Sequence, residues 1–233
     1  MTRPAAILAF GVLLALAPAV RAQSGGACPP QGSATKAKAR KLNELRARTT
    51  EPTDDDYDDT VDISALIAPG DDSQRWSNDS AVEITAFVVD VLDGGMSSSN
   101  CFSPDPANHD TVLYLSPGAS VSDAAHRMIA VITPQWRRIM SGNRIDWSTR
   151  AIRAMYFQKY VSIRGWLFFN SEAASQALNT AALAGSSITR ATAWEIHPVT
   201  GIEQSEDSLE QQTRLGDFGP LLYARSNARN SAP

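Results

Sequence analysis

The stretch Ala81-Val-Glu-Ile-Thr-Ala-Phe-Val-Val-Asp-Val-Leu92 decides the fold. Side chains alternate along a strand, so each face of this segment can be read separately. One face carries the apolar residues Val82, Ile84, Ala86 and Val88. The opposite face then takes over with Phe87, Val89 and Val91. A strand that changes its buried face must bend or bulge, as strands do when they curl from one half of a small barrel into the other.

Further apolar runs follow this strand in the order strand, strand, helix, strand, strand. The predicted strands cover residues 110–115, 127–133, 159–169 and 188–197, and the predicted helix covers residues 147–157 with Ser148 or Thr149 as its cap. Gly165 marks a point where the fourth strand bends or another backbone approaches closely. We expect the fifth strand to end at Pro198, which cannot donate to a sheet ladder.

This strand order is similar to that of the OB-fold. The sequence therefore predicts a mainly β fold, a small five-stranded, OB-like Greek-key barrel with one helix between strands three and four and an N-terminal helical arm. Four regions follow from this interpretation. They are a signal peptide (residues 1–22), an arm with a basic helix and an acidic linker (23–78), the barrel (79–204) and a flexible C-terminal tail (205–233).

The first 22 residues have the pattern of a secretory leader. Arg3 supplies the positive charge, residues 5–17 are apolar but too short for a typical membrane span, and Val20-Arg-Ala22 resembles a cleavage site. An uncleaved anchor is the alternative, whereas Cys28 lies too far past the apolar stretch for lipid attachment. We expect a periplasmic or secreted protein without a membrane span after cleavage. Its Lys plus Arg count falls from 21 to 19 against 25 Asp plus Glu, a formal charge of −6.

Both cysteines, Cys28 and Cys101, survive cleavage and meet an oxidising compartment. A disulfide between them would tie the arm to the long loop after strand one. Two independent thiols or an intermolecular pair are the alternatives, since spacing alone does not supply the geometry.

The arm reverses its charge along its length. Residues 36–48 are basic with helical composition, and residues 51–62 are acidic, so the two blocks can attract each other across Pro52. The basic block is either a solvated helix or a contact for membranes or nucleic acid. The acidic block begins like a calcium loop but has Asp59 and Ala65 where that loop needs Gly and Glu.

Established catalytic motifs such as GxSxG, HExxH and GxGxxG are absent from the sequence. Imidazole and carboxylate side chains near strand ends are the remaining candidates for a metal site or for acid and base catalysis. This set comprises Asp105, His109, Asp110, Glu195 and His197. Glu195 and His197 face the same way on strand five. The alternative is that both are polar residues at a strand end that fix the turn at Pro198.

A second set combines aromatic and basic side chains, which grip single-stranded nucleic acid or sugars by stacking and charge. This set comprises Trp136, Arg137, Arg138, Trp166, Phe168 and Trp194. Packing in the core and at the rim of the barrel is the alternative. The acidic charge of the mature chain disfavours broad nucleic-acid binding, which depends on neutralising phosphates.

Four segments resemble motifs of a family of uncharacterised exported bacterial proteins. They are Arg75-Trp-Ser-Asn-Asp79, Thr133-Pro-Gln-Trp-Arg137, Gly165-Trp-Leu-Phe-Phe169 and Thr192-Ala-Trp-Glu-Ile-His-Pro-Val199. The resemblance covers residues 42–203, and the last motif is its most specific part. It implies bacterial export and the domain limits, but no activity.

Two hypotheses about function follow. The first is a non-catalytic OB-like binding module without a cofactor, which holds an oligosaccharide, a nucleic acid or a protein on the face of strands two and three and the loops 93–109 and 170–187. The alternative is a metal-assisted hydrolase, such as a phosphodiesterase or nuclease, with His109, Asp110, Glu195 and His197 at its centre. The fold does not distinguish the two.

The cleavage pattern predicts that the mature chain begins at Gln23. The intact mass of protein recovered after export should correspond to residues 23–233. A mass that retains Met1 would show that the leader stays attached as an anchor.

Overall fold

The computed structural model of this protein describes residues 28–180 and 187–205. The predicted signal peptide and the predicted tail beyond Ser205 lie outside the described residues.

The described chain forms a closed barrel of five strands. The strands are β1 (Ala81–Asp93), β2 (Thr111–Ser116), β3 (Met128–Ile132), β4 (Tyr160–Phe169) and β5 (Trp194–Gln204). Around the barrel they follow the order β1-β2-β3-β5-β4, and β4 closes it against β1. All neighbouring pairs are antiparallel except β3 and β5, which are parallel. The prediction of a mainly β, closed five-stranded barrel is confirmed.

The first strand bends where the sequence predicts. Its first half pairs with β4 and its second half with β2, so β1 is shared between the two sides of the barrel. The register with β2 shifts between Val88 and Asp90, which is a β-bulge. Because the bulge adds one residue, Val88 and Val91 both bury their side chains although they are three positions apart.

The prediction that Pro198 ends the fifth strand is wrong, because β5 runs from Trp194 through Pro198 to Gln204. Opposite β5, Gly165 pairs with Val199 and Leu167 pairs with Ile196. His197 and Pro198 therefore fall in an irregularity of the ladder, where the missing N–H of proline removes no regular hydrogen bond. The close backbone approach predicted at Gly165 occurs at this same point.

Two helices, rather than the predicted one, connect β3 to β4. The predicted helix is α4 (Thr149–Tyr156), capped by Ser148 and carrying the buried Ile152 into the core beside β1. The helix that the prediction missed is α3 (Pro134–Gly142), which Thr133 caps by accepting from the Trp136 amide at 3.4 Å. Throughout residues 28–180 and 187–205 no helix has the length and apolar character needed to cross a membrane.

The N-terminal segment, residues 28–80, packs onto the barrel. It contains the predicted basic helix α1 (Ala37–Arg46) and a short helix α2 (Ile63–Leu66) that the acidic composition concealed. Ile63 and Leu66 are fully buried and belong to the same apolar core as the strands. The predicted disulfide is present, with Cys28 and Cys101 2.10 Å apart at sulfur and 5.8 Å apart at Cα.

Gly165 allows us to test the tight contact between β4 and β5. A Cβ at this position would lie 2.3 Å from the Pro198 carbonyl oxygen and 2.9 Å from Ile196 Cγ2. We expect Gly165→Ala to lower the free energy of unfolding by about 1–3 kcal/mol, because the backbone must shift to relieve the overlap. Denaturant unfolding measures this change.

Gly142→Ala is the matched control, since a Cβ there meets no atom within 4 Å and the residue ends helix α3. That change should be neutral or slightly stabilising. Equal stability of the two variants would contradict the contact at Gly165.

Candidate ligand-binding groove

A groove of about 490 Å³ runs over the outer face of β2, β3 and β5. Its floor consists of Val112, Tyr114, Ile129, Val131, Glu195 and His197. One wall is the β1–β2 loop, residues 94–110, which contributes Ser97, Ser98, Ser99, Phe102 and Asp110. The other wall comes from helix α1 and the described parts of the β4–β5 connection, with Arg46, Asn170, Glu172 and Arg190.

Strand alternation explains why these floor residues face outward. Leu113 on β2, Ala130 on β3 and Ile196 on β5 are all fully buried in the barrel core. Their chain neighbours must therefore point to the opposite face. The prediction that Glu195 and His197 share one face of strand five is confirmed, although both lie within the strand and not at its end.

Glu195 is the centre of a buried polar network. Its Oε1 accepts from Asn170 Nδ2 at 2.8 Å and from Arg190 Nη1 at 2.5 Å, and its Oε2 accepts from His197 Nδ1 at 3.0 Å. Burial alone would raise the pKa of Glu195, but the Arg190 charge and the interactions with His197 outweigh it and lower the pKa to about 2. The group is therefore a carboxylate at neutral pH.

The carboxylate fixes the orientation of the His197 ring. Because Nδ1 donates its hydrogen to the Glu195 carboxylate, the lone pair lies on Nε2 whenever the imidazole is neutral. This Nε2 is buried and has no hydrogen-bond partner among the described residues. The ring also contacts Phe168 edge-on, with the two centroids 5.3 Å apart.

Arg46 connects helix α1 to the same network. Its Nη2 donates to Asn170 Oδ1 at 3.1 Å and to Glu172 Oε2 at 2.8 Å. Its guanidinium lies 5.0 Å from the centroid of the Phe168 ring, a cation–π contact. Arg46 of the predicted basic helix therefore forms an ion pair with Glu172 in the groove wall.

Asp110 lines the groove without a hydrogen bond or ion pair from its carboxyl group to any described residue. Burial raises the pKa of this carboxyl group, against the opposing electrostatic influence of His197, Arg46 and Arg137. Ionisation of this carboxyl group, which has no partner among the described residues, lowers the stability of the folded protein. The group is therefore available to bond to a ligand.

The residues predicted for a metal site do not form one cluster. Asp110, Glu195 and His197 line the groove, but Asp105 caps a short turn by accepting from the Ala107 amide at 2.9 Å. His109 engages both ring nitrogens, Nδ1 with Asp93 at 2.7 Å and Nε2 with the Ser103 carbonyl at 2.8 Å.

These engagements leave His109 no nitrogen for a metal. Hydrogen bonding to the Ser103 carbonyl, and to a smaller extent to Asp93, raises the pKa of His109, which favours the protonated ring. In the part of the chain that the structure describes, no three His, Cys, Asp or Glu side chains are placed to hold a metal ion.

The three tryptophans predicted to bind a ligand are buried and bind the N-terminal segment instead. Each indole N–H donates to a backbone carbonyl of that segment. The bonds run from Trp136 to Arg48 at 3.0 Å, from Trp166 to Thr50 at 2.9 Å and from Trp194 to Asp72 at 2.7 Å. These side chains therefore present no stacking face to a ligand, and the packing alternative accounts for them.

The remaining members of that predicted set also lie outside the groove. Phe168 is fully buried beneath Arg46. Arg137 and the exposed Arg138 line a separate depression beside helix α3. Burial lowers the pKa of Arg137, an effect that Asp110 and Asp93 oppose.

The sequence does not predict several of the groove residues. Asn170 and Arg190 lie in the β4–β5 connection, which has no periodic pattern, and Arg46 is one of several cations on its helix. The pattern around Tyr114 predicts only a strand. The exposed Phe102 had one available signal, its position next to the paired Cys101.

Comparison of the sequence with models of known protein families gave no match, and no curated protein is significantly similar. The resemblance to exported bacterial proteins therefore stays a prediction.

Asp110 gives a pH-dependent test of the groove. A carboxyl group whose pKa is raised by folding destabilises the protein as the pH rises above its ordinary value of 3.8. We expect Asp110→Asn to raise the melting temperature at neutral pH, and we expect this gain to vanish as the pH falls below 3.8. Thermal unfolding across this range measures the effect.

Asp146→Asn is the control of opposite sign, because hydrogen bonds from Ser148 lower the pKa of Asp146. That variant should not gain stability at neutral pH. A lower melting temperature of Asp110→Asn at neutral pH would contradict the assigned burial of Asp110.

Proposed function

We propose that this protein is an exported, non-catalytic binding module with an OB-like barrel, and that the groove holds its ligand. The observation that carries the proposal is the position of the groove. It covers β2 and β3 and is flanked by the β1–β2 loop and the β4–β5 connection. OB-folds bind oligonucleotides and oligosaccharides on this face.

The strand order and the closure of the barrel support the OB-like assignment. The disulfide between Cys28 and Cys101 supports an oxidising compartment, which agrees with a periplasmic or secreted location. The ligand of such a module is an oligosaccharide, a nucleic acid or a protein.

The charges of the groove disfavour one of these ligand classes. Its wall and floor carry the cations Arg46 and Arg190 and the acids Asp110, Glu172 and Glu195. Both cations already pair with groove carboxylates, at 2.8 Å and 2.5 Å. A phosphodiester backbone would meet no free cluster of positive charge here, so a nucleic acid is the least favoured ligand.

The alternative function, a metal-assisted hydrolase with His109, Asp110, Glu195 and His197, has partial support. A carboxylate that orients an imidazole is a recurring arrangement in general base catalysis, and Glu195 and His197 have it. Asp110 is in the same groove. His109 does not join them, because both of its ring nitrogens are engaged elsewhere.

A blocked groove tests the binding function. Val112 is half-buried on the groove floor, so Val112→Trp should fill the groove without entering the core. Val121→Trp is the matched control at an exposed loop position outside the groove. Both variants should be titrated with neutral oligosaccharides, an oligothymidylate and a peptide library, with binding followed by native mass spectrometry.

Binding to the wild type and to Val121→Trp, with loss in Val112→Trp, is the expected result. Equal binding of every ligand to both variants would refute the groove as the binding site. Conversion of a bound ligand that disappears in His197→Gln would instead favour the hydrolase.

A further inference from the structure

Three polar groups of the groove lack partners among the described residues. Two are buried nitrogen atoms, His197 Nε2 and Arg190 Nε. The third is the carboxyl group of Asp110, which forms neither a hydrogen bond nor an ion pair there. An unpaired buried polar group destabilises a protein, and most native structures avoid it. The two buried nitrogen atoms and the half-buried carboxyl group of Asp110 lie along one groove, where a ligand can supply their partners.

The chemistry of these groups defines what the ligand must offer. With Nδ1 bonded to Glu195, Nε2 of the His197 ring can offer a lone pair, and the carboxyl group of Asp110 offers oxygens, so both can accept hydrogen bonds. Arg190 Nε is a donor. A hydroxyl group both donates and accepts, and it carries no charge that would be buried beside three acids and two cations.

An aromatic side chain stands at the edge of the same groove. Phe102 is 59% exposed although it lines the groove wall, which is unusual for a large apolar residue. Cys101 and Phe102 both have left-handed backbone conformations, with φ of 56° and 53°. Residues other than glycine adopt this region at a cost, and such positions cluster at binding sites.

Two local constraints hold Phe102 in this exposed position. Cys101 is bonded to Cys28 of the N-terminal segment, and the Phe102 amide donates to the Ser97 carbonyl at 2.8 Å. Tyr114 on the groove floor supplies a second ring, with the Arg127 guanidinium 5.9 Å from its centroid. The exposed ring of Phe102 and the half-buried ring of Tyr114, beside hydrogen-bonding groups, suit a ligand that has both an apolar face and polar edges.

We infer that the ligand is a neutral oligosaccharide, with the apolar face of a sugar ring on Phe102 and sugar hydroxyls bonded to Asp110 and to His197 Nε2. This inference rests on the proposed binding function and names the ligand class of the same site. Glu195 is a positioning residue, because it fixes which nitrogen of His197 accepts.

Titration of the full exported chain with cello-, malto- and chito-oligosaccharides tests the inference, with an oligothymidylate and spermidine as charged comparisons. We expect at least one neutral oligosaccharide to bind and both charged probes to bind more weakly. Phe102→Ala and Asp110→Ala should each weaken that binding by about tenfold, the effect of losing one contact worth ~1.4 kcal/mol. Phe102 is exposed, so its replacement should leave folding intact.

Met155→Ala is the control, because Met155 is 38% exposed on helix α4 and does not line the groove. It should bind like the wild type. His197→Gln should weaken sugar binding while leaving the melting temperature closer to that of the wild type than His197→Ala does, since glutamine keeps polar atoms near Glu195.

The failures of the two proposals are distinguishable. If no oligosaccharide binds, or if its affinity is unchanged in both Phe102→Ala and Asp110→Ala, the sugar inference is overturned. If a peptide or the oligothymidylate then binds the wild type but not Val112→Trp, the groove remains a binding site. If no probe binds the wild type more tightly than it binds Val112→Trp, both proposals are overturned.

Discussion

The buried carboxylate of Glu195 is the interaction on which the groove depends. It lies on β5 and is 2% exposed, so its charge requires partners inside the protein. Arg190, His197 and Asn170 supply them from three different points of the chain. Removal of one partner from a buried pair leaves an uncompensated charge and costs about 3–5 kcal/mol.

The network extends outward from Glu195 to helix α1 of the N-terminal segment. Asn170, which donates to Glu195, also accepts from Arg46 of helix α1, and Arg46 stacks on Phe168. Because the folded pKa of about 2 lies below the ordinary value of 4.5, this stabilisation is present above pH 4.5 and is lost as the pH falls toward 2. The groove wall formed by α1 is thus coupled to the charge state of a single side chain on the barrel.

The order of the strands could be predicted from apolar runs because alternation and turn residues are local signals. The bulge in β1 was visible for the same reason, since the buried set changes face after Val88. The end of β5 was not visible. Pro198 normally excludes a central strand, but here it lies in an irregularity whose existence depends on Gly165 of another strand. Only tertiary structure brings these two residues together.

Part of the candidate site could also be predicted from local signals in the sequence. Glu195 and His197 share a face by alternation, which any two residues two apart on a strand must do. Asp110 joins them because β2 and β5 flank β3, a consequence of the strand order. The tryptophans beside arginines resemble a binding surface in the sequence, but their role depends on carbonyl groups of the distant N-terminal segment. That segment carries no motif that would reveal where it docks.

Satisfied and unsatisfied polar atoms distinguish the three tryptophans from the groove residues more clearly than residue type does. The indole N–H groups of Trp136, Trp166 and Trp194 all have carbonyl partners, so these residues complete the fold. His197 Nε2 and Arg190 Nε have none among the described residues, although both atoms are buried. A fold optimised only for stability would remove such groups or pair them. In the proposed binding module, these two atoms, Asp110 and the exposed Phe102 would contact the ligand on the outer face of β2, β3 and β5.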